Sequence, residues 1–442
     1  MRISIHQSLI KVAAPIRVKL FEKIASRQQW TQDRIYEYQS QKLQKIITHC
    51  WSTVPFYKNH WSQAGIDPLK VRFIEDLEQL PLLTKQHVRD NLNELTTLDS
   101  SIKFSEARTG GSTGSPVIFR MTKFDEEMAW AQMYMGWSWA GYKIGAPFLV
   151  VGGESVGTGL SDKRSLKDAV MNRWGTSGSN LTLERTRLLA KSAHFHKITL
   201  IYGYPNAIKE LGEFLLEVGD VPRNLEGIVC TAEVMRSEVR HRIEEIYGVK
   251  VLDQYGLNDG GLHACESAEQ NGFNLSFHRG ILEILNENGK QIKTTGKPGK
   301  AIATCFTNFA MPFIRYETGD NLNWAEAGSG GQTRWQKIGP IDGRTGDVIK
   351  LPSGRIITMP GLTLVMRWVD GLKQYQFIQT DISTVEVRVT FYESVEPNLK
   401  ELNEYLNTKI SSEISWSIRV ALPLKTKNGK VLIIKNEILA RT

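Results

Sequence analysis

Cysteine is scarce in this chain. Cys50, Cys230, Cys265 and Cys305 are spread along 442 residues, without the close spacing of a disulfide framework. They read as reduced thiols, so a cytoplasmic protein is expected. No uninterrupted apolar run approaches the roughly 20 residues that span a bilayer. A clean signal core is missing as well, because Lys11 and Pro15 interrupt the N-terminal apolar stretch and no small-residue cleavage site follows. There is no internal repeat and no low-complexity linker, which sets aside solenoids and disordered tethers.

What remains is an ordinary globular composition, 41% apolar and 23% charged. The length exceeds one typical domain, so two or more are expected. The net charge of +8 is unevenly placed: the first fifty residues carry nine Lys/Arg against three Asp/Glu, and the last twenty carry five against one. The body between them is slightly acidic. No basic stripe with interleaved aromatics crosses it, so nucleic acid is not an expected ligand. In the first thirty residues many aliphatics surround a single acid, Glu22. Two readings stay open there. One is a basic amphipathic helix in peripheral contact with an anionic membrane. The other is a terminal helix packed on the core and broken at Pro15.

From about residue 145, short apolar runs alternate with helical periods. Pro147–Val151, Lys197–Ile201, Gly227–Cys230 and Val249–Leu252 read as buried strands. Helices follow the second and third, the first of these with Ile208, Leu211, Leu215 and Val218 on one face. This alternation predicts an α/β fold with mostly parallel sheets flanked by helices. Functional loops then gather at the strand ends, here 202–205, 231–233 and 254–259. A boundary is expected at the glycine-flanked stretch Gly343–Asp347. It divides a large domain, 1–343, from a small α+β domain, 344–442, with a hairpin near 348–357, strands at 373–379, 384–391 and 415–421, and a helix over 397–411.

The densest chemical signal is Thr109-Gly110-Gly111-Ser112-Thr113-Gly114-Ser115. Glycines let backbone N–H groups approach a ligand, and the hydroxyls add neutral donors, a composition suited to nucleotide phosphates and also to a plain flexible loop. Downstream come Tyr255-Gly256-Leu257-Asn258-Asp259, then Arg315-Tyr-Glu-Thr-Gly-Asp320, Gly343-Arg344 and Asn428-Gly429-Lys430. In this order the set resembles the motifs of adenylate-forming enzymes: acyl-CoA synthetases, peptide-synthetase adenylation domains and luciferases. Val54-Pro-Phe-Tyr57, Asp76–Lys85, Ala310–Tyr316 and Leu351–Arg355 resemble one branch, the phenylacetate–CoA ligases and their capsular-polysaccharide-biosynthesis (CapK-like) relatives. The resemblance runs from about residue 40 to the C-terminus.

That resemblance implies an ATP- and Mg²⁺-dependent ligase. It joins a small-molecule carboxylate to AMP, then passes the acyl group to CoA or to an amine or hydroxyl acceptor. It implies a role for each matched residue. The loop from Thr109 to Gly114 would hold the β- and γ-phosphates, Asp320 the ribose hydroxyls and Tyr255 the adenine. Asp259 would bind the metal. Arg344 and the mobile Lys430 would serve the reacting groups. Glu233, Gly256 and Asn258 complete the nucleotide set, and Gly152, Gly153, Tyr202, Tyr204 and Ala232 are candidate walls of the carboxylate pocket. Each residue also has a purely structural reading: Asp320 as a turn cap, Tyr255 as a core aromatic, Asp259 in an exposed turn, Lys430 as a tail lysine. The chain departs from the usual pattern at Ser115 (often lysine), Asn258-Asp259 (often Thr-Glu) and Gly346 (often an acid). A non-catalytic nucleotide-binding scaffold at a membrane assembly is therefore the competing class. His263, Cys265, His278 and Cys305 fit no strong zinc spacing and read as core cysteines and surface histidines.

Overall fold

The computed structural model describes residues 5–108, 118–152, 165–177, 181–257, 259–326, 332–341, 348–354, 356–358, 362, 366, 369–392, 397–425 and 431–438. The chain divides into two compact units. The first holds residues up to Ile341 and the second those from Asp342 onward, with Gly319–Asn321 assigned to the second.

The first unit opens with helices α1 (Ile5–Ala13), α2 (Pro15–Ala25), α3 (Gln32–Thr53), α4 (Pro55–Gln63) and α5 (Lys85–Asp90). Pro15 takes the first position of α2, where its missing N–H costs nothing. It thus starts a second helix rather than only ending the first. Arg17 of α2 is buried and its Nε donates to Glu127 at 2.8 Å, so α2 packs on the core. Ile5, Leu9, Val12 and Ile16 stay exposed. An antiparallel ribbon, β1 (Phe104–Arg108) with β2 (Ile118–Thr122), leads into α6 (Lys123–Trp139). The Thr122 hydroxyl caps α6 by accepting from the Asp125 N–H.

An α/β stretch follows: β3 (Phe148–Gly152), α7 (Leu166–Val170), β4 (Arg173–Ser177), α8 (Leu183–Lys191), β5 (Leu200–Gly203), α9 (Pro205–Val218), β6 (Gly227–Thr231), α10 (Ser237–Tyr247) and β7 (Val251–Leu257). Strands β4, β3, β5, β6 and β7 lie side by side and parallel. The central strands β3, β5 and β6 are covered on both faces, so their sequences run largely apolar, while the edge strand β4 and the middle of β7 carry polar residues. Leu149, Val151, Ile201 and Ile228 meet Ile208, Leu211 and Leu215 of α9 and Val239 and Ile243 of α10. Phe148, Val150, Leu200 and Val229 share the opposite cluster with Met135 and Trp137 of α6.

Beyond β7 the chain turns antiparallel. Strands β8 (Leu262–Glu266), β9 (Phe273–Leu275), β10 (Gly280–Leu285), β11 (Gly299–Cys305), β12 (Tyr316–Leu322), β13 (Trp324–Ala325) and β14 (Lys337–Ile338) complete the unit. Four of them extend the large sheet to nine strands, in the order β13-β14-β9-β8-β7-β6-β5-β3-β4, while β10, β11 and β12 form a separate sheet. The fold is thus α/β with a parallel-rich sheet flanked by helices, and one half of that sheet is antiparallel.

Two local expectations shift. Residues 195–197 form a 3₁₀ turn, and β5 starts only at Leu200. The segment 254–257, read as a loop, belongs to β7, because β8 folds back on it with Gln254 opposite Cys265 and Leu257 opposite Leu262.

In the second unit β15 (Val348–Lys350) pairs with β16 (Ile356–Thr358). A four-stranded sheet, ordered β19-β18-β17-β20, joins β17 (Leu372–Asp381), β18 (Thr384–Phe391), β19 (Ser415–Val420) and β20 (Ile434–Asn436). Helix α11 (Leu399–Lys409) supplies Leu402 and Leu406 to a core with Phe377, Val385, Val387 and Trp416.

Two features make the fold testable. A methyl placed on Gly203 would lie 1.8 Å from the Val151 carbonyl oxygen, and both atoms belong to backbone that cannot swing aside. Gly203→Ala should destabilise by about 1–3 kcal/mol or more, seen as a lower thermal midpoint; an unchanged midpoint would contradict this packing. Asp253 is buried, and burial together with the charge of Glu266 holds its carboxyl well above the usual range. The folded state therefore keeps a proton that the unfolded chain releases near pH 4, so stability falls as pH rises past that point. Asp253→Asn should melt higher than the parent at pH 7, and the gain should shrink toward pH 4.

Candidate functional site

The parallel strands end at a cavity of about 250 Å³. Its walls are Val150 and Gly152 from β3, Tyr202 and Gly203 from β5, Thr231 from β6, and Gln254 and Gly256 from β7. Ala129, Gln132 and Met133 of α6 cover it, and Leu262, His263 and Arg279 complete it. Ligands of open α/β sheets bind at the carboxyl ends of the strands. This is that position.

The backbone does much of the shaping. The close approach at Gly203 leaves the end of β5 as bare main chain. Ala232 follows β6 with φ +68°, a left-handed conformation that costs a non-glycine residue about 1 kcal/mol or more. Strain of this kind is kept where surrounding structure imposes it, and Ala232 lines the cavity. Tyr204 occupies the position just before α9 and also lines the cavity.

One ion pair dominates the electrostatics. Arg279 Nε and Nη2 donate to the two carboxylate oxygens of Asp125 at 2.8 and 2.6 Å, with both side chains 1% exposed. Thr307 Oγ1 also donates to Asp125. The Arg279 charge is thereby neutralised where it borders the cavity. Burial, aided by the positive charge of Arg279, lowers the His263 pKa to about 3, so the imidazole is neutral. Burial pushes the Tyr202 phenol up to about 12, outweighing hydrogen bonds with Thr231 and Gln254 that lower it.

The sequence-derived residues fall into three groups. Gly152, Tyr202, Tyr204, Ala232 and Gly256 come together on the cavity wall. Glu233, Tyr255, Asp259 and Asp320 lie elsewhere. Glu233 Oε2 accepts from Asn206 Nδ2 at 2.9 Å in the first turn of α9. Tyr255 is buried in a cluster with Leu257, Leu262 and Leu282. Asp259 is buried rather than in an exposed turn, accepting from the Tyr316 hydroxyl at 3.1 Å and from the Gly260 N–H at 3.2 Å. Asp320 is buried within strand β12, after Gly319 at φ +81°, so it does not cap a turn. The third group, Thr109, Gly110, Gly111, Ser112, Thr113, Gly114, Gly153, Asn258, Arg344 and Lys430, lies outside the described residues.

Several cavity residues escape a reading of the sequence: Ala129, Gln132, Met133 and Arg279. Gln254 falls in the expected strand-end loop, and His263 enters that reading only as a zinc candidate. Gln132 carries a signal, since it is an amide amid Met128, Ala131, Met135 and Trp137 on a helix. His263 and His278 are core residues, 6% and 1% exposed, not surface histidines. All four cysteines are buried free thiols. Among the described residues no group of three His, Cys, Asp or Glu side chains could hold a metal. Asp259 nonetheless suits Mg²⁺, a hard ion that takes one or two carboxylates and fills its sphere with phosphate oxygens and water. A larger groove of about 600 Å³ lies between α3 and β10, bordered by Tyr36, Glu75, Glu283 and Lys293. It contains none of the motif residues.

No family model matches the chain. Individual proteins do. The phenylacetate–coenzyme A ligase of Thermus thermophilus is 24% identical over 379 residues, 84% of each chain. Protein CapK of Staphylococcus aureus is 23% identical over 418 residues, covering 91% of this chain and 90% of CapK. The phenylacetate–coenzyme A ligase of Escherichia coli is 26% identical over 335 residues, 72% of each. Among solved structures, 2-hydroxyisobutyryl-CoA ligase in the postadenylation state superimposes with a TM-score of 0.75 at 18% identity, over 94% of this chain and 92% of that one. The chain is thus similar over most of its length to phenylacetate–coenzyme A ligases and to CapK, and it shares the fold of a CoA ligase.

Proposed function

We propose that this protein is an ATP-dependent carboxylate-activating ligase. The observation that carries the reading is the cavity at the carboxyl ends of β3, β5, β6 and β7, in a chain whose relatives include phenylacetate–coenzyme A ligases and CapK. A carboxylate oxygen attacks the α-phosphorus of ATP, the bond to the β-phosphate oxygen breaks, and pyrophosphate departs. A thiol, amine or hydroxyl then attacks the acyl carbon and AMP departs. CoA is the acceptor suggested by the ligases among the relatives. The CapK likeness supports a second acceptor, a sugar amine or hydroxyl in surface-polysaccharide synthesis. A peripheral membrane setting has the exposed Ile5 and Val12 beside Lys11 in its favour; among the described residues no helix is long and apolar enough to cross a membrane.

In this reading the loop 109–114 positions the terminal phosphates through its N–H groups, and Asp320 accepts from the ribose hydroxyls. Glu233, Tyr255, Gly256 and Asn258 border the nucleotide. Asp259 would hold Mg²⁺, which would supply positive charge to the phosphates. The cavity walls at Gly152, Tyr202, Tyr204 and Ala232 receive the acyl chain. Arg344 opens the small domain, 344–442, which acts as a mobile lid and delivers Lys430. That lysine, a compact point charge, offsets the repulsion between carboxylate and α-phosphate.

Two measurements test these roles. Asp320→Ala should weaken ATP binding by about 1.5–3 kcal/mol in calorimetry, and unchanged affinity would remove Asp320 from the nucleotide site. Lys430→Ala should slow ATP–pyrophosphate exchange roughly 10²–10³-fold, yet still transfer the acyl group from supplied acyl-adenylate. Lys427→Ala is the control and should stay near parental rates. Equal losses in both half-reactions would refute the assignment.

A further inference from the structure

The cavity holds more polar groups than its neighbours satisfy. Among the described residues, Gln132 Oε1, Gln254 Oε1 and His263 Nε2 are buried without a hydrogen-bond partner, and all three side chains line the cavity. They are 1%, 4% and 6% exposed. A buried polar atom left unpaired costs about 1–3 kcal/mol, and apolar side chains would fill the same space without that cost. Gln132 is held from its other end, Nε2 donating to Ser276 Oγ at 2.8 Å, and Ser276 Oγ lies 3.2 Å from His278 Nδ1. Turning the amide over exchanges its oxygen and nitrogen and still leaves one polar atom unpaired.

The charge pattern narrows the ligand. Among the described residues lining the cavity, Arg279 alone carries a full charge, and Asp125 already occupies it through two hydrogen bonds. No carboxylate lines the wall among those residues. His263 is neutral and Tyr202 keeps its proton. Among the described residues an ammonium group would find no counter-ion there, and a second carboxylate would meet only a cation that Asp125 already holds. The volume, about 250 Å³, falls below the roughly 300–1,000 Å³ of drug-sized sites.

We propose that the cavity selects a short monocarboxylic acid bearing a hydroxyl on its acyl chain, and that Gln132, Gln254 and His263 determine that choice. The inference rests on the carboxylate-activating reading above. A hydroxyl donates one hydrogen bond and accepts two, so it can satisfy a glutamine oxygen and be met by a neighbouring polar atom. An alkyl or aryl group leaves those atoms unpaired.

The test is ATP–pyrophosphate exchange by the intact protein with short hydroxy acids, each paired with its deoxy and amino counterparts, and with phenylacetate alongside. The hydroxy acid should exceed its deoxy counterpart by about tenfold or more in kcat/KM, and Gln254→Leu should shrink that ratio, mainly through KM. Equal or greater exchange with deoxy, amino or aryl acids overturns the inference and leaves carboxylate activation standing. If no acid supports exchange, calorimetric binding of the same acids decides. Preferential binding of the hydroxy acid, lost in Gln254→Leu, keeps the selectivity while the ligase reading falls. Binding without preference, or none, overturns both. The parent-protein comparison needs no variant, so a Gln254→Leu protein that fails to fold does not block the test.

Discussion

The pairing of Arg279 with Asp125 is the contact on which the site depends. Asp125 sits in the first turn of α6, where a negative charge also suits the helix dipole. Arg279 immediately precedes β10. Neither charge touches water, so each is tolerable only because of the other; removing one partner of such a pair typically costs about 3–5 kcal/mol. The bond fixes the position of α6 against the strands and therefore fixes the cover of the cavity. Two similar bridges extend the arrangement. Arg17 with Glu127 ties α2 to α6. Arg315, at φ +51°, grips Glu283 through Nε and Nη2 and donates through Nη1 to the Leu80 carbonyl.

Among the described residues, the rest of the cavity lining is uncharged and sets a few polar groups among mostly apolar ones. Burial keeps His263 and Tyr202 neutral, and Asp125 offsets the charge of Arg279. An uncharged cavity of this kind discriminates by hydrogen-bond geometry and shape, not by attraction over distance.

The parallel half of the fold was legible because its strands are buried on both faces and alternate with helices of clear period. The antiparallel half was not. Strands such as Trp324–Ala325 and Lys337–Ile338 are two residues long and exist only through their pairing, which no local pattern announces. The same holds for Ile434–Asn436, a three-residue strand recruited by β17. The end of β7 misled for a related reason: Tyr-Gly-Leu reads as a loop until β8 is seen folding back along it. At the site, glycines and tyrosines at strand ends could be picked out from the alternation. Gln132, His263 and Arg279 could not, because they reach the cavity from a helix and from strands distant in sequence.

The main chain at Gly203 approaches β3 so closely that no side chain can be accommodated there. That part of the wall therefore offers evolution nothing to change. Ala129, Gln132 and Met133 are different: they lie on one face of a helix whose position is set elsewhere, by Arg279 and Arg17. Their side chains can be exchanged without disturbing the sheet. Relatives that share the chemistry but accept different acids should accordingly diverge first at these helix positions, making α6 the replaceable part of an otherwise constant frame.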